Sequence, residues 1–127
     1  MRVLLFLALI YPAVASASAV TVWEGGNGLL SDCEERATFN EGVCAGYLSG
    51  VMDAHQTFKG WGELTQPTYC KPDGVTLGQV RAIVVKSLKE NPEELHLNAA
   101  SLVLNALRRA FPPEIKFEDG EVVFYCP

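Results

Sequence analysis

Four cysteines constrain the fold of this 127-residue chain more than any other feature. They are Cys33, Cys44, Cys70 and Cys126, separated by 11, 26 and 56 residues. An even number of cysteines in a small exported chain favours two disulfides. The alternatives are a thiol nucleophile and a zinc site, but zinc binding would call for close pairs such as C-x-x-C, which these spacings lack.

The first nineteen residues predict the export that such disulfides require. Arg2 precedes an apolar run over residues 3–10, and small residues follow it. This is the pattern of a secretory signal peptide, and we place its cleavage after Ala19, with Ala17 as the alternative. A membrane anchor is disfavoured because a spanning helix needs about 20 apolar residues, and Pro12 comes soon after the run.

The expected mature chain, residues 20–127, has the length of one domain with a modest core. Without Arg2 it carries nine basic and fifteen acidic side chains, a net charge of −6. Nucleic acid and anionic lipid are poor partners for such a chain, and a basic protein surface is a better one. We predict no membrane contact after signal cleavage, no cofactor and no metal.

Apolar residues at spacings of three and four predict two helices in the first half of the mature chain. An extended arm over residues 20–28 leads into a short helix, "LLSDCEERA", beginning near Asn27 or Gly28. The second helix covers residues 39–58, with Asn40 as its N-cap. Its apolar positions are Val43, Cys44, Tyr47, Leu48, Val51, Met52, His55 and Phe58.

Two further helices follow a predicted loop at residues 59–70. Thr76 and Gln79 form a capping-box pattern before an apolar period that ends near Glu90. The last helix covers residues 95–111, with two arginines in its final turn, where the helix dipole favours cations. The apolar positions of these helices are Leu77, Val80, Ile83, Val84 and Leu88, then Leu95, Ala99, Leu102, Val103, Ala106, Leu107 and Ala110.

The C-terminal segment predicts a β-hairpin at about residues 115–125. Asp119-Gly120, between "IKFE" and "EVVF", is a strong two-residue turn signal. An isolated hairpin is marginally stable in water, so we expect Cys126 to attach it to the helices. The predicted fold is a single mostly α-helical domain: a compact bundle of about four helices with a small C-terminal β-hairpin and two disulfides.

The predicted helix order favours one pairing of the cysteines. Two helices joined by a short link lie antiparallel, so the chain before the third helix should meet the chain after the fourth. This favours Cys70–Cys126, which leaves Cys33–Cys44 to join the first two helices. Three connectivities exist for four cysteines, and the pairing of Cys33 with Cys126 and Cys44 with Cys70 stays open.

Three ordered motifs give the chain a family resemblance. They are C-x-G-Y-L-x-G-V-x-D from Cys44 to Asp53, C-x-P-D-G-V-T-L-G-Q from Cys70 to Gln79, and "NPEELHLNAASLVLNAL" followed by "AFP". Together they resemble the Rap/Tai-type immunity proteins over residues 29–112. These protect bacteria from peptidoglycan-cleaving amidase toxins delivered by type VI secretion.

The resemblance implies a small periplasmic, mostly helical, disulfide-containing protein, often forming a homodimer. Such a protein binds a cognate Cys-His amidase and blocks its active-site cleft. One departure concerns the C-terminus, because family members often end as "FPC" after the last helix. Here Phe111 is followed by two prolines, and the cysteine lies beyond the hairpin at position 126.

Two loops are candidate contacts for a protein partner. Trp61 lies between glycines in "KGWGEL", with Glu63 beside it, and an exposed loop aromatic suits an interface anchor. The alternative is that Trp61 folds back over the core. Glu93 and Glu94 form an acidic helical corner that could steer association with a basic cleft, or could serve only the helix dipole.

Gly46, Gly50 and Asp53 are candidate structural residues on one face of the second helix. Glycine inside a helix is destabilising by about 1 kcal/mol relative to alanine, which suggests close approach of another element. We expect the helix over residues 95–111 to pack there, with a homodimer contact as the alternative. For Asp53 we expect a partly buried carboxylate that hydrogen bonds to nearby backbone, with a partner contact as the alternative.

Catalysis is disfavoured because bridged cysteines leave no free thiolate to pair with a histidine. His55 lies on the apolar helix face, where we expect a packed, hydrogen-bonded side chain, and His96 should be exposed. We predict that the chain is not an enzyme. It would act as an immunity protein against an amidase effector, and the alternative is a periplasmic binding or structural module with another protein partner.

Overall fold

The computed structural model describes residues 25–127, so the predicted signal peptide and the start of the predicted arm lie outside it. Four α-helices, α1 (Gly26–Glu34), α2 (Thr38–Gly60), α3 (Leu77–Glu90) and α4 (Ala99–Ala110), occupy this part of the chain. A 3-10 turn at Pro92–Glu94 links α3 to α4. Strands β1 (Glu114–Glu118) and β2 (Glu121–Tyr125) form a hairpin. The predicted fold class is confirmed.

Both predicted disulfides form. Cys33–Cys44 joins α1 to α2, and Cys70–Cys126 joins the loop before α3 to the end of the hairpin. The backbone N–H of Cys70 donates to the carbonyl of Phe111 at 2.9 Å. This bond brings the loop before α3 beside the C-terminal end of α4, where the second disulfide lies.

In the second half of the chain, the N-terminal cap of α3 forms as predicted, but α4 begins at a different residue. Thr76 forms the predicted capping box: its hydroxyl accepts from Gln79 N–H at 3.3 Å, and the Gln79 side chain accepts from Thr76 N–H at 2.8 Å. The predicted start of the last helix at residue 95 is wrong. Asn98 caps α4 instead, because its side chain accepts from the first-turn N–H groups of Ala100 and Ser101.

The starts of the first two helices also differ from the predictions. α1 begins at Gly26, so the predicted arm is shorter than expected. α2 begins at Thr38 after Ala37, which makes no side-chain cap. Asn40 is therefore not the N-cap, and its amide donates to the carboxylate of Glu35 in the α1–α2 connection.

One core holds the four helices together. α3 and α4 share the most extensive contact between helices, and α1 and α2 pack against each other and against α3. Both sulfurs of the Cys33–Cys44 bridge are buried in this core. The buried apolar residues are Leu29, Cys33, Cys44, Leu48, Val80, Val84, Leu88, Ala99, Leu102, Val103, Ala106 and Leu107. Of the other predicted core positions, Leu77, Ile83 and Leu95 are partly buried, and Ala110 is exposed.

Arg81 of α3 clamps the α1–α2 connection. Its Nε donates to the carbonyl of Cys33 at 2.8 Å, and Nη2 donates to the carbonyl of Glu35 at 3.1 Å. Nη1 pairs with the carboxylate of Glu41 at 2.8 Å. The guanidinium thus supplies three donors to the end of α1 and the start of α2, a geometry that its planar fork allows and a lysine does not.

The hairpin has the predicted two-residue turn. Glu118 pairs with Glu121, and Asp119 and Gly120 have φ of 49° and 84°. Positive φ at both central residues identifies the turn type whose twist matches that of paired strands. At the other end, the Tyr125 hydroxyl donates to the Glu114 carboxylate at 2.6 Å. This hydrogen bond and the carboxylate charge raise the pKa of Tyr125.

Candidate functional site

The C-terminal end of α2 carries two exposed aromatic side chains. Trp61 is 71% exposed and Phe58 is 48% exposed. Their ring centroids lie 5.8 Å apart in an edge-to-face arrangement, which is a favoured geometry for aromatic rings. These two residues, called the aromatic pair below, form an apolar patch that the described fold leaves in solvent.

Backbone hydrogen bonds hold the aromatic pair in place. Trp61 N–H donates to the Thr57 carbonyl at 3.0 Å, and Glu63 N–H donates to the Phe58 carbonyl at 3.0 Å. Gly62 has φ of 78°, in the left-handed region that glycine adopts at the ends of helices. The aromatic pair is therefore presented by an ordered helix end, which limits the entropy lost when a partner binds.

The residues predicted to contact a partner differ in exposure and in ion pairing. Trp61 does not fold back over the core, and Glu63 beside it is exposed. Glu93 is exposed at the corner between α3 and α4, whereas Glu94 pairs with Arg109 of α4 at 2.5 Å. Glu94 thus stabilises the corner, and Glu93 is the residue of this acidic pair that is more available to a partner.

A cavity of about 720 Å³ lies between α2 and the loop before α3, and the aromatic pair does not line it. Lys59, which lies between Phe58 and Trp61 in sequence, is part of its wall, as are residues of the Cys70–Cys126 bridge. Its charged residues are of both signs, with Lys59 and Lys71 opposite in charge to Asp53 and Asp73. This mixed charge favours no simple anion or cation.

His55 lies in the wall of this cavity and is 8% exposed. Its ring lies against that of Tyr69, with centroids 4.9 Å apart. Among the described residues neither ring nitrogen finds a hydrogen-bond partner, and both are shielded from solvent. The predicted burial of His55 is confirmed, but its predicted hydrogen bond is wrong.

The surroundings of His55 and Tyr69 favour the neutral forms of both. Burial, and then the charge of Lys59, lower the pKa of His55. Burial, and then the charge of Asp53, raise the pKa of Tyr69. A neutral imidazole with shielded nitrogens is a packing group, so this geometry supplies no accessible general base.

We expect the stability of the chain to depend on pH through His55. Because its pKa is lower in the folded state, the unfolded chain binds more protons as pH falls below about 6.5. The free energy of unfolding should therefore be highest above that pH and decrease toward pH 5. His55→Phe keeps a ring against Tyr69 and removes two buried polar atoms, so it should weaken this dependence and raise stability by about 1 kcal/mol at pH 8.

Urea unfolding at pH 5, 6, 7 and 8 measures both effects, with His96→Gln as the control because His96 is exposed. A loss of stability for His55→Phe at pH 8 would contradict the prediction, since it would mean that the ring nitrogens make a stabilising hydrogen bond.

The prediction that Gly46 and Gly50 admit close packing of the last helix is wrong. A Cβ atom placed on either glycine meets no described heavy atom within 4 Å, and both residues are exposed. The small residues of α4 face the core elsewhere, where Ala99 and Ala106 are buried. The homodimer contact considered for this face stays a prediction.

The expected structural role of Asp53 is also wrong. Asp53 is exposed, and the hydrogen bond formed at this residue joins the Thr57 hydroxyl to its backbone carbonyl at 2.9 Å. Its carboxylate acts on Tyr69 through charge. Asp53 thus lies in the cavity wall rather than in a buried hydrogen-bond network.

Phe58 is the site residue that sequence reasoning placed in the core. Its spacing from His55 fits the apolar face of α2, but the helix extends past the packed body and leaves the ring exposed. The adjacent Gly60 and Gly62 were the available signal, because glycines on both sides of Trp61 mark the end of the helix.

Residues 25–127 show neither a metal-binding cluster nor a membrane-spanning helix. In that part of the chain no cluster of three or more histidine, cysteine, aspartate or glutamate side chains is arranged for a metal ion. No helix there has both the length and the apolar character needed to span a bilayer.

Comparison with known protein families identifies a matching family model. The family model of the Rap1a immunity proteins matches residues 25–113, which covers all four helices and ends before the hairpin. Searches of curated proteins and of solved structures found no significant match.

Proposed function

Because the chain belongs to the Rap1a immunity protein family, we propose that it binds and blocks a peptidoglycan amidase that a type VI secretion system delivers into the periplasm. The match over residues 25–113 is the observation that carries the proposal. The family character supports an immunity protein against a secreted effector. The amidase as target and the periplasm as location are the proposed additions.

Two features of the chain support a periplasmic location. Residues 1–19 have the pattern of a signal peptide, and all four cysteines of the described chain are paired in disulfides. Disulfides form and persist in oxidising compartments such as the bacterial periplasm. An immunity protein with these properties would meet the effector in the compartment where peptidoglycan is exposed.

The proposed inhibition is stoichiometric and needs no chemistry from this chain. The cysteines are bridged, and the ring nitrogens of His55 are shielded from solvent. The aromatic pair provides an apolar anchor on an ordered helix end, and buried aromatic anchors dominate the energetics of many interfaces. Glu63 and Glu93 add negative charge at exposed positions, which favours association with a basic cleft.

The test begins with a search for a neighbouring reading frame that encodes an NlpC/P60-like amidase, which the proposal predicts. Both proteins are purified, and peptidoglycan cleavage is measured at increasing ratios of this chain to the amidase. Loss of activity that is complete near one equivalent supports the proposal. A stable complex with undiminished amidase activity would instead favour the alternative, a periplasmic binding module with a non-inhibitory role.

Trp61→Ala should weaken binding of the amidase about thirtyfold, the effect of losing one central aromatic anchor worth about 2 kcal/mol. Titration calorimetry measures the dissociation constant. Phe39→Ala is the matched control, because Phe39 is 79% exposed at the opposite end of α2. Equal affinity for both variants would remove the aromatic pair from the interface.

A further inference from the structure

The hairpin presents an apolar face that the body of the protein does not cover. The register pairs Ile115 with Phe124 and Phe117 with Val122. Paired residues of adjacent strands share a face, and positions two apart along a strand also share it. These four side chains, called the apolar face of the hairpin below, therefore lie together. Phe117 is 79% exposed, Ile115 and Val122 are exposed as well, and Phe124 is partly buried.

A disulfide, a cross-strand hydrogen bond and a tight turn stabilise the hairpin without burial of its apolar face. The Cys70–Cys126 bridge attaches its C-terminal end, and the Tyr125 hydroxyl bonds to Glu114 across the strand pair. Asp119 and Gly120 supply the turn. Exposed apolar clusters with polar surroundings mark interaction sites more often than isolated apolar residues do. The apolar face of the hairpin is thus left for a partner.

Charge argues against a second copy of this chain as that partner. Residues 114–125 carry four carboxylates and one lysine, a net charge of −3. The one cation, Lys116, pairs with Glu118 at 2.7 Å. Two such faces brought together would place like charges around an apolar contact, whereas a patch bordered by lysine or arginine would complement it.

The size of the face argues that it is one part of a larger contact. Four side chains bury a few hundred Å² at most, whereas a stable interface buries about 800 Å² on each partner. The hairpin also lies beyond residue 113, where the family match ends. It is therefore outside the part of the chain that matches the family model.

We propose that the apolar face of the hairpin is a second docking surface for the effector, seated on an apolar patch bordered by basic side chains. This inference rests on the proposed function and adds to it a contact that selects the partner. The helical body would supply the family's common contact, and the hairpin would distinguish the cognate effector from related ones.

The experiment measures affinity for the same neighbouring amidase by titration calorimetry. Phe117→Ser combined with Val122→Thr, which removes apolar surface but keeps residues compatible with a turn-linked hairpin, should weaken binding at least tenfold. Phe39→Ser is the matched control, because Phe39 and Phe117 are equally exposed, and it should change affinity less than twofold. Circular dichroism and thermal unfolding establish that each variant is folded.

A second variant tests the charge argument without touching the apolar face. Glu118→Gln combined with Glu121→Gln should slow association several-fold at low salt and reduce the salt dependence of the association rate. Unchanged affinity in the first double variant would overturn the inference, and an unchanged association rate in the second would contradict its charge argument. A wild-type dimer that becomes monomeric on Phe117→Ser/Val122→Thr would also overturn it, because a second copy would then occupy the face.

The two proposals fail in different ways. Wild-type chain that does not bind the amidase contradicts the proposed function, and this inference falls with it. Wild-type chain that inhibits the amidase, together with a Phe117→Ser/Val122→Thr variant whose affinity for it is unchanged, contradicts this inference alone.

Discussion

Replacing Cys33 and Cys44 together by alanine should lower the free energy of unfolding by about 3 kcal/mol. The bridge closes a short loop across α1 and α2 and so restricts the unfolded chain. Its two sulfurs are also almost fully buried, so the variant loses core packing as well as the cross-link. Denaturant unfolding followed by circular dichroism measures the loss.

The second bridge supplies the comparison. Replacing Cys70 and Cys126 by alanine removes a link across 56 residues, which the loop-closure relation values at about 4 kcal/mol. The hairpin makes few other contacts with the helices, so we expect it to detach while the helical signal persists. Limited proteolysis should then cut within residues 114–125. A loss below about 1 kcal/mol for the Cys33/Cys44 variant would contradict the stabilisation that loop closure and core packing predict for that bridge.

Gly26→Val should lower the free energy of unfolding by about 3 kcal/mol, at the upper end of the range for an overpacked core. A Cβ atom on Gly26 would lie 2.4 Å from Cδ1 of Leu102 and 3.1 Å from Cα of Leu95. Leu102 is buried, so its side chain has little room to move, and the Leu95 contact is with backbone. α1 therefore packs against the α3–α4 corner only because residue 26 lacks a side chain.

Gly46→Ala and Gly50→Ala are the matched controls, and they should have the opposite effect. Both positions lie inside α2 with open space around the added methyl group. Alanine at an exposed helix position should stabilise the chain by up to about 1 kcal/mol each. Chemical unfolding of the three variants under one condition makes the comparison. Destabilisation by Gly46→Ala would indicate that another surface covers that helix face, such as a second copy of the chain.

Local signals in the sequence predicted much of this fold. The Thr76 capping box, the Asp119-Gly120 turn and the apolar periods of α3 and α4 depend on residues close together in the chain, and each is realised. The disulfide pairing was one of three connectivities, and the order of the helices was enough to favour the correct one. For Trp61 the sequence left two alternatives open, an exposed side chain or one folded back over the core, and the structure shows the exposed one.

The wrong predictions share a cause, because each concerns a property that depends on contacts between segments distant in sequence. Gly26 and Gly46 look alike in sequence, but only Gly26 meets another element. From the sequence Glu94 was a candidate contact for a partner, but its carboxylate pairs with Arg109, which lies 15 residues further along the chain. Phe58 fits the apolar period of α2, and its exposure follows from where the helix leaves the packed body.

Residue pattern alone determined the element types, the hairpin turn and the family, and it favoured the correct disulfide pairs, because each depends on neighbouring side chains or on motifs carried in order along the chain. Tertiary packing decided which glycine is essential, which carboxylate is free, and which aromatic rings and which hairpin face remain in solvent. The exposure of a side chain depends on which other elements pack against it. Apolar residues spaced by three or four show which face of a helix is apolar, but not how far along the helix other elements cover that face.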